Sequence, residues 1–167
     1  MDTIIRIMLL GLLLSGCVWD VKEESNSIGI AIETDRTVYE ELSQDDLISI
    51  VSSAWPRGVS NYCLEVADKI TVELSADLKT DCGSAWPCDA CIYVRELRII
   101  VDDDGALLDE YESIAHELIH FFAHCADKNS DGTHIVPKYW ASIDPENSVE
   151  AVVSEIIWKE TRALDED

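Results

Sequence analysis

Basic residues are scarce in this chain. It carries 12 lysines and arginines against 34 aspartates and glutamates, a formal net charge of −22. Phosphate backbones are gripped by clustered Lys and Arg, so no nucleic-acid partner is expected. Anionic membrane surfaces are disfavoured for the same electrostatic reason. A membrane-spanning run is missing too: the apolar stretch from Ile7 to Leu14 is too short to cross a bilayer as a helix. No internal repeat is present, which excludes a solenoid. What remains is 167 residues, 47% hydrophobic and 28% charged, enough to bury the core of one compact domain. The acidity itself reads first as a solvated surface, and second as an attraction for divalent cations.

The N-terminus reads as an export signal. "IIRIMLLGLLLSGC" sets Arg6 before the apolar run and small residues before Cys17. "LSGC" resembles the bacterial lipobox. That resemblance implies cleavage before Cys17, lipidation of Cys17, and a mature protein anchored at the cell envelope, on the outer membrane where the cell has one. Val18 rather than Asp follows, so no inner-membrane retention signal is evident. Residues 1–16 are then the signal peptide, 17–27 a polar tether, and 28–167 the folded domain.

Export gives the other cysteines a meaning. Cys63, Cys82, Cys88, Cys91 and Cys125 are an odd set, so at most two bridges form and one thiol is left over. "CGSAWPCDAC" crowds three of them around Pro87 and Gly83 and predicts a cross-linked loop. Cys63, Cys82, Cys88 and Cys91 are the disulfide candidates, with Cys125 as the spare thiol and a possible zinc binder. A zinc knuckle at Cys88-x-x-Cys91 lacks a second ligand pair. A thioredoxin-like site lacks the helix that should follow.

Periodicity predicts an α+β fold. "IGIAIETD" alternates Ile28, Ile30 and Ile32 as a strand. "SQDDLISIVSSAWP" begins with a capping box, Ser43 with Asp46, and continues as a helix to Pro56. "KITVELSAD" reads as a strand and "CIYVRELRIIVDD" as a second, longer one. A helix is expected over 106–126, a polar loop after it, and a last helix from about Pro145 to Leu164 with Asp144 as its N-cap.

The chemistry concentrates in "SIAHELIHFFAHC", residues 113–125. His116 and His120 are four apart, so both imidazoles project from one helix face toward one cation. Glu117 lies about 100° round, near enough to a metal-held water to take its proton. Apart from Glu117 and the histidines, no charged residue falls between Ser113 and Ala126. A lone glutamate in so apolar a helix is costly unless it has a partner or a task. The segment resembles the active-site helix of zincin metallopeptidases, and the order of strands, H-E-x-x-H helix and second helix is similar to that fold. The resemblance implies a small domain with a short mixed or antiparallel sheet packed on the H-E-x-x-H helix and a C-terminal helix. It implies one zinc ion held by His116 and His120, Glu117 as general base, and a protein or peptide substrate.

A third protein ligand is required, with a fourth position left for water. His124 lies about 12 Å along the helix from His116 and cannot share an ion with it. The metzincin pattern is absent, since Ala123 and Ala126 stand where its glycine and third histidine belong. The gluzincin arrangement takes a glutamate from the second helix, and Glu150, at the border of that helix's apolar face, is the first choice. Glu146 and then His134 follow. Tyr139 and His134 are candidate donors to a developing oxyanion. Asp127, Asn129 and Asp131 with Gly132 match the start of a calcium loop, but its twelfth position is Lys138 rather than a bidentate Glu, so a polar turn takes precedence. The rival functional reading is a non-catalytic, disulfide-stabilised envelope lipoprotein, a binding module with a vestigial or structural metal site.

Overall fold

The computed structural model describes residues 42–83, 88–103, 107–129 and 131–164. The expected signal peptide, Cys17, the expected tether and the strand expected at Ile28–Ile32 lie outside the described residues. Among the described residues eight elements follow in order: α1 (Gln44–Ser53), α2 (Asn61–Ala67), β1 (Thr71–Ser75), α3 (Leu78–Asp81), β2 (Ala90–Tyr93), β3 (Arg98–Asp102), α4 (Leu107–Asp127) and α5 (Val149–Leu164). The class is α+β, as expected.

The capping box forms: Ser43 accepts from the Asp46 N–H, and the Asp46 carboxylate accepts from the Ser43 N–H at 2.9 Å. It starts α1 so that Leu47, Ile48 and Val51 face the core. Helices α2 and α3 were not anticipated; Ser60 and Asp77 cap them.

The long strand expected over 91–103 is two strands. Residues 94–97 turn the chain, with Leu97 at φ 53°, and β2 pairs antiparallel with β3. The turn's central residues carry no Gly or Asn, so the usual hairpin cue was missing. β3 then pairs parallel with β1, giving a mixed sheet in the order β1-β3-β2.

Helix α4 is the centre of the molecule. It packs on β2 and β3 and also against α1, α2 and α5. Ala115, Leu118, Ile119, Phe121, Phe122 and Ala123 are buried round most of its circumference. A helix apolar on nearly every side belongs inside. Among the described residues, no helix is long and apolar enough to cross a membrane.

The disulfides also differ from expectation. Cys63 joins Cys125 and Cys82 joins Cys91, leaving Cys88 free. The spare thiol is Cys88, and Cys125 is bonded and unavailable to a metal. The Cys63–Cys125 bridge spans 62 residues and ties α2 to the end of α4. By loop-closure entropy such a bridge is worth about 4 kcal/mol. Two structural disulfides belong to a chain that folds in an oxidising compartment.

Candidate metal centre

His116 and His120 leave α4 one turn apart, and a third ring meets them from the connecting segment. His134 Nε2 lies 2.9 Å from His116 Nε2 and 3.0 Å from His120 Nε2. The three side chains form a group that can hold a metal ion. In tetrahedral zinc sites with Zn–N of about 2.0–2.1 Å, ligand nitrogens stand roughly 3.3 Å apart, a few tenths wider than here.

The segment that delivers His134 is folded by its own acids. Asp131 accepts from the Trp140 indole N–H at 2.7 Å, from Val136 N–H at 2.9 Å and from Thr133 Oγ1 at 3.1 Å. Asp127 accepts from Lys138 Nζ at 2.7 Å and from the Tyr139 hydroxyl at 2.5 Å. Asp131 accepts at both of its oxygens and Asp127 at Oδ2, so two acids of the calcium-loop pattern staple the turn. The staples throw His134 back over α4 with φ at 53°, a left-handed conformation that costs a non-glycine residue about 1–2 kcal/mol. Strain of this kind persists where the surroundings over-determine it.

Beneath the rings lies Trp140, wholly buried. Its indole centre is 4.9, 4.5 and 4.3 Å from those of His116, His120 and His134. An indole held by Asp131 thus forms an apolar floor under three donors.

Glu150 does not face the point where the three Nε2 atoms converge. Its Oε1 is 2.7 Å from His116 Nδ1, and its Oε2 accepts from the Ala141 N–H at 2.7 Å. The first-choice third ligand thus meets His116 at Nδ1, the nitrogen turned away from that point. Its position follows from the start of α5, which is Val149 rather than Pro145. Residues 145–147 form turns, the Ser148 hydroxyl caps the helix, and the Glu150 N–H donates to the Tyr139 carbonyl. A carboxylate accepting from Nδ1–H fixes the tautomer and leaves Nε2 as a free lone pair. Glu146 is exposed in the turn before α5, and His124 is exposed on α4, outside the group. Tyr139, a candidate oxyanion donor, is buried and its hydroxyl serves Asp127, so it does not fill that role.

The electrostatics divide the groups. Burial lowers His120 well below the ordinary histidine value, and the fields of His116 and His134 add to it, outweighing Asp131. His134 is lowered by burial and by His116. Both rings therefore favour the neutral, ligating form. Burial also opposes charge on His116, but the bond to Glu150 and the fields of Glu117, Glu150 and Asp89 raise it overall. Glu117 is 3% exposed, and one carboxylate oxygen has no hydrogen-bond partner. Burial pushes its carboxyl up to about 7, against the opposing pull of His116 and of the Ile92 backbone N–H.

The donor set fits a metal. With Nδ1–H of His116 committed to Glu150, three imidazole nitrogens point at one spot, and neutral rings cannot satisfy all their lone pairs with the protons they hold. A shared cation satisfies all three. No family model matches this chain, and no curated protein or solved structure matches it significantly.

Proposed function

We propose that the protein is a zinc-dependent peptidase held at the cell envelope by a lipid on Cys17. The observation that carries the reading is the convergence of His116, His120 and His134 beside a buried glutamate with one oxygen unpartnered. Structural zinc sites close with four protein ligands, whereas catalytic ones keep three and an open position. Among the described residues, this group has three.

Zinc bound there supplies Lewis acidity to a peptide carbonyl and acidifies water. The chain's own residues divide the remaining work. Glu117, with its proton affinity near neutrality, takes a proton from water at its free oxygen and returns it to the leaving amine. Glu150 holds the His116 ring by Nδ1. Trp140 closes the floor and keeps water from beneath the rings. The two disulfides suit an exported protein, and the lipobox-like "LSGC" supplies the anchor.

The test is zinc content alongside cleavage of a quenched peptide library. The wild type binds one zinc per chain and cleaves; Glu117→Gln keeps the zinc and loses cleavage. Equal cleavage by Glu117→Gln would remove that glutamate as the base, and a fully coordinated zinc with no cleavage by either protein moves the assignment to the non-catalytic binding module.

A further inference from the structure

A second, smaller core of the molecule is built around sulfur. Leu78, Cys82, Cys91 and Ile100 are buried together where α3 meets β3, and Cys88 and Tyr93 pack against them. The three cysteines of "CGSAWPCDAC" thus share one cluster, a closed Cys82–Cys91 disulfide with the free Cys88 thiol beside it. The peptidase reading makes no use of them. Other contacts hold this cluster together besides the disulfide. The Tyr93 hydroxyl donates to the Asp81 carbonyl at 2.9 Å and ties the end of β2 to the end of α3. The Ser75 hydroxyl donates to the Asp81 carboxylate, and Cys91 pairs with Ile100 in the sheet. A change of sulfur partner therefore does not require the cluster to come apart.

We propose that Cys82, Cys88 and Cys91 form a thiol–disulfide exchange site, in which Cys88 replaces Cys91 as the partner of Cys82 and so unpins β2 from α3. The inference is independent of the peptidase reading. The Cys88 thiolate attacks Cys82 Sγ, and the Cys82–Cys88 bond forms as the Cys82–Cys91 bond breaks. The electron pair leaves on the Cys91 sulfur, which takes up a proton in place of the one Cys88 gave up. No oxidant or reductant is consumed. Attack at Cys91 is opposed by chain geometry. The Asp89 carbonyl accepts from the Asp102 N–H and Ala90–Tyr93 pair with β3, so nearly extended chain separates Cys88 from Cys91. Three residues of strand put Cα atoms about 9–10 Å apart, beyond the roughly 7 Å that a disulfide bridges. Exchange thus moves the cross-link from within β2 to just ahead of it. The next residue of that strand, Ile92, donates its N–H to Glu117, so the strand released is the one bordering the candidate metal centre.

The test is a map of which sulfurs are bridged. The full oxidised chain is held for a day at about pH 8, where thiolate forms, then quenched in acid, digested with pepsin in acid and read by mass spectrometry. Wild type should yield both Cys82–Cys91 and Cys82–Cys88 peptides, with no Cys88–Cys91 peptide. Cys91→Ser should bridge Cys82 to Cys88, whereas Cys82→Ser should leave Cys88 and Cys91 unbridged. Wild type holding Cys82–Cys91 alone would overturn the inference whatever the variants do, so it stays testable if a variant fails to fold. Bridging of Cys88 to Cys91 in either protein would overturn the assigned direction of attack. Release of the strand has its own readout. Hydrogen exchange at the amides of β2 should be about threefold or more faster in wild type than in Cys88→Ser, which locks the Cys82–Cys91 bond. Equal rates would overturn the unpinning of β2.

Discussion

The two flanks of α4 treat a carboxylate in opposite ways. On the sheet flank, Glu117 is enclosed against β2, accepts one backbone N–H and is pushed up to about 7. On the α5 flank, Glu150 is also opposed by burial, yet its bond to His116, the His116 charge and the Ala141 N–H hold it below the ordinary value. Both glutamates neighbour the same histidine. One flank leaves an oxygen free and the proton exchangeable near neutrality; the other uses both oxygens and keeps the charge fixed. On the peptidase reading proposed above, environments that separate two carboxylates in this way suit them to different roles, one to move protons and the other to orient a ring.

The largest effect should come from the sheet flank. Glu117→Gln is expected to lower peptide cleavage by about a hundred- to ten-thousand-fold with zinc content unchanged, measured by single-turnover assay and metal analysis. On the α5 flank, Glu150→Gln should leave cleavage chemistry intact at saturating zinc but weaken zinc affinity by about ten- to a hundred-fold, read by competition with a chelating dye. If the two substitutions exchanged these signatures, the division of roles would be wrong.

Stability against pH sharpens the contrast in the metal-free protein. Glu117 has a folded value near 7 against about 4.3 unfolded, so its protonated form stabilises fully below about 4.3, and that contribution fades as pH rises through 7. Glu117→Gln should therefore raise Tm relative to wild type more at pH 8 than at pH 5. Glu150 is lowered, so its contribution is present above about 4.3 and is lost as pH falls through its folded value. Glu150→Gln should lower Tm at neutral pH, with the gap closing in acid. A parallel response of the two variants would contradict the contrast.

A smaller effect is expected further from the rings. Asp131→Ala removes the acceptor of the Trp140 indole and of the Val136 N–H, and should cost about 2–3 kcal/mol in urea unfolding. Zinc affinity should fall with it, because His134 loses the turn that aims it.

Much of this was legible in the sequence, unevenly. The Ser43–Asp46 box and the apolar circumference of α4 are local patterns, and both appear where the pattern puts them. The Val94–Leu97 turn was hidden because Leu97 adopts a left-handed backbone without being Gly or Asn. The start of α5 moved because the N–H groups of Val149 and Glu150 bond the Lys138 and Tyr139 carbonyls, contacts that no window around Pro145 contains. Helical spacing correctly set Glu150 at the seam with α4. It could not say whether the carboxylate would reach the ion or stop at the far nitrogen of a ligand. His134, ranked third, owes its place to staples between Asp131 and residues up to nine positions away. The bridge from Cys63 to Cys125 likewise depends on α2 packing against α4, whereas nearness in the chain favoured Cys88.

The central claim is that three imidazoles, from His116, His120 and His134, converge on one divalent ion. X-ray absorption at the zinc edge of the loaded full chain counts imidazole ligands directly by their multiple scattering. The account predicts three imidazoles with one further oxygen, falling to two imidazoles in His134→Ala and staying at three in Glu150→Gln. Two imidazoles plus a carboxylate in the wild type, unaffected by His134→Ala, would contradict it.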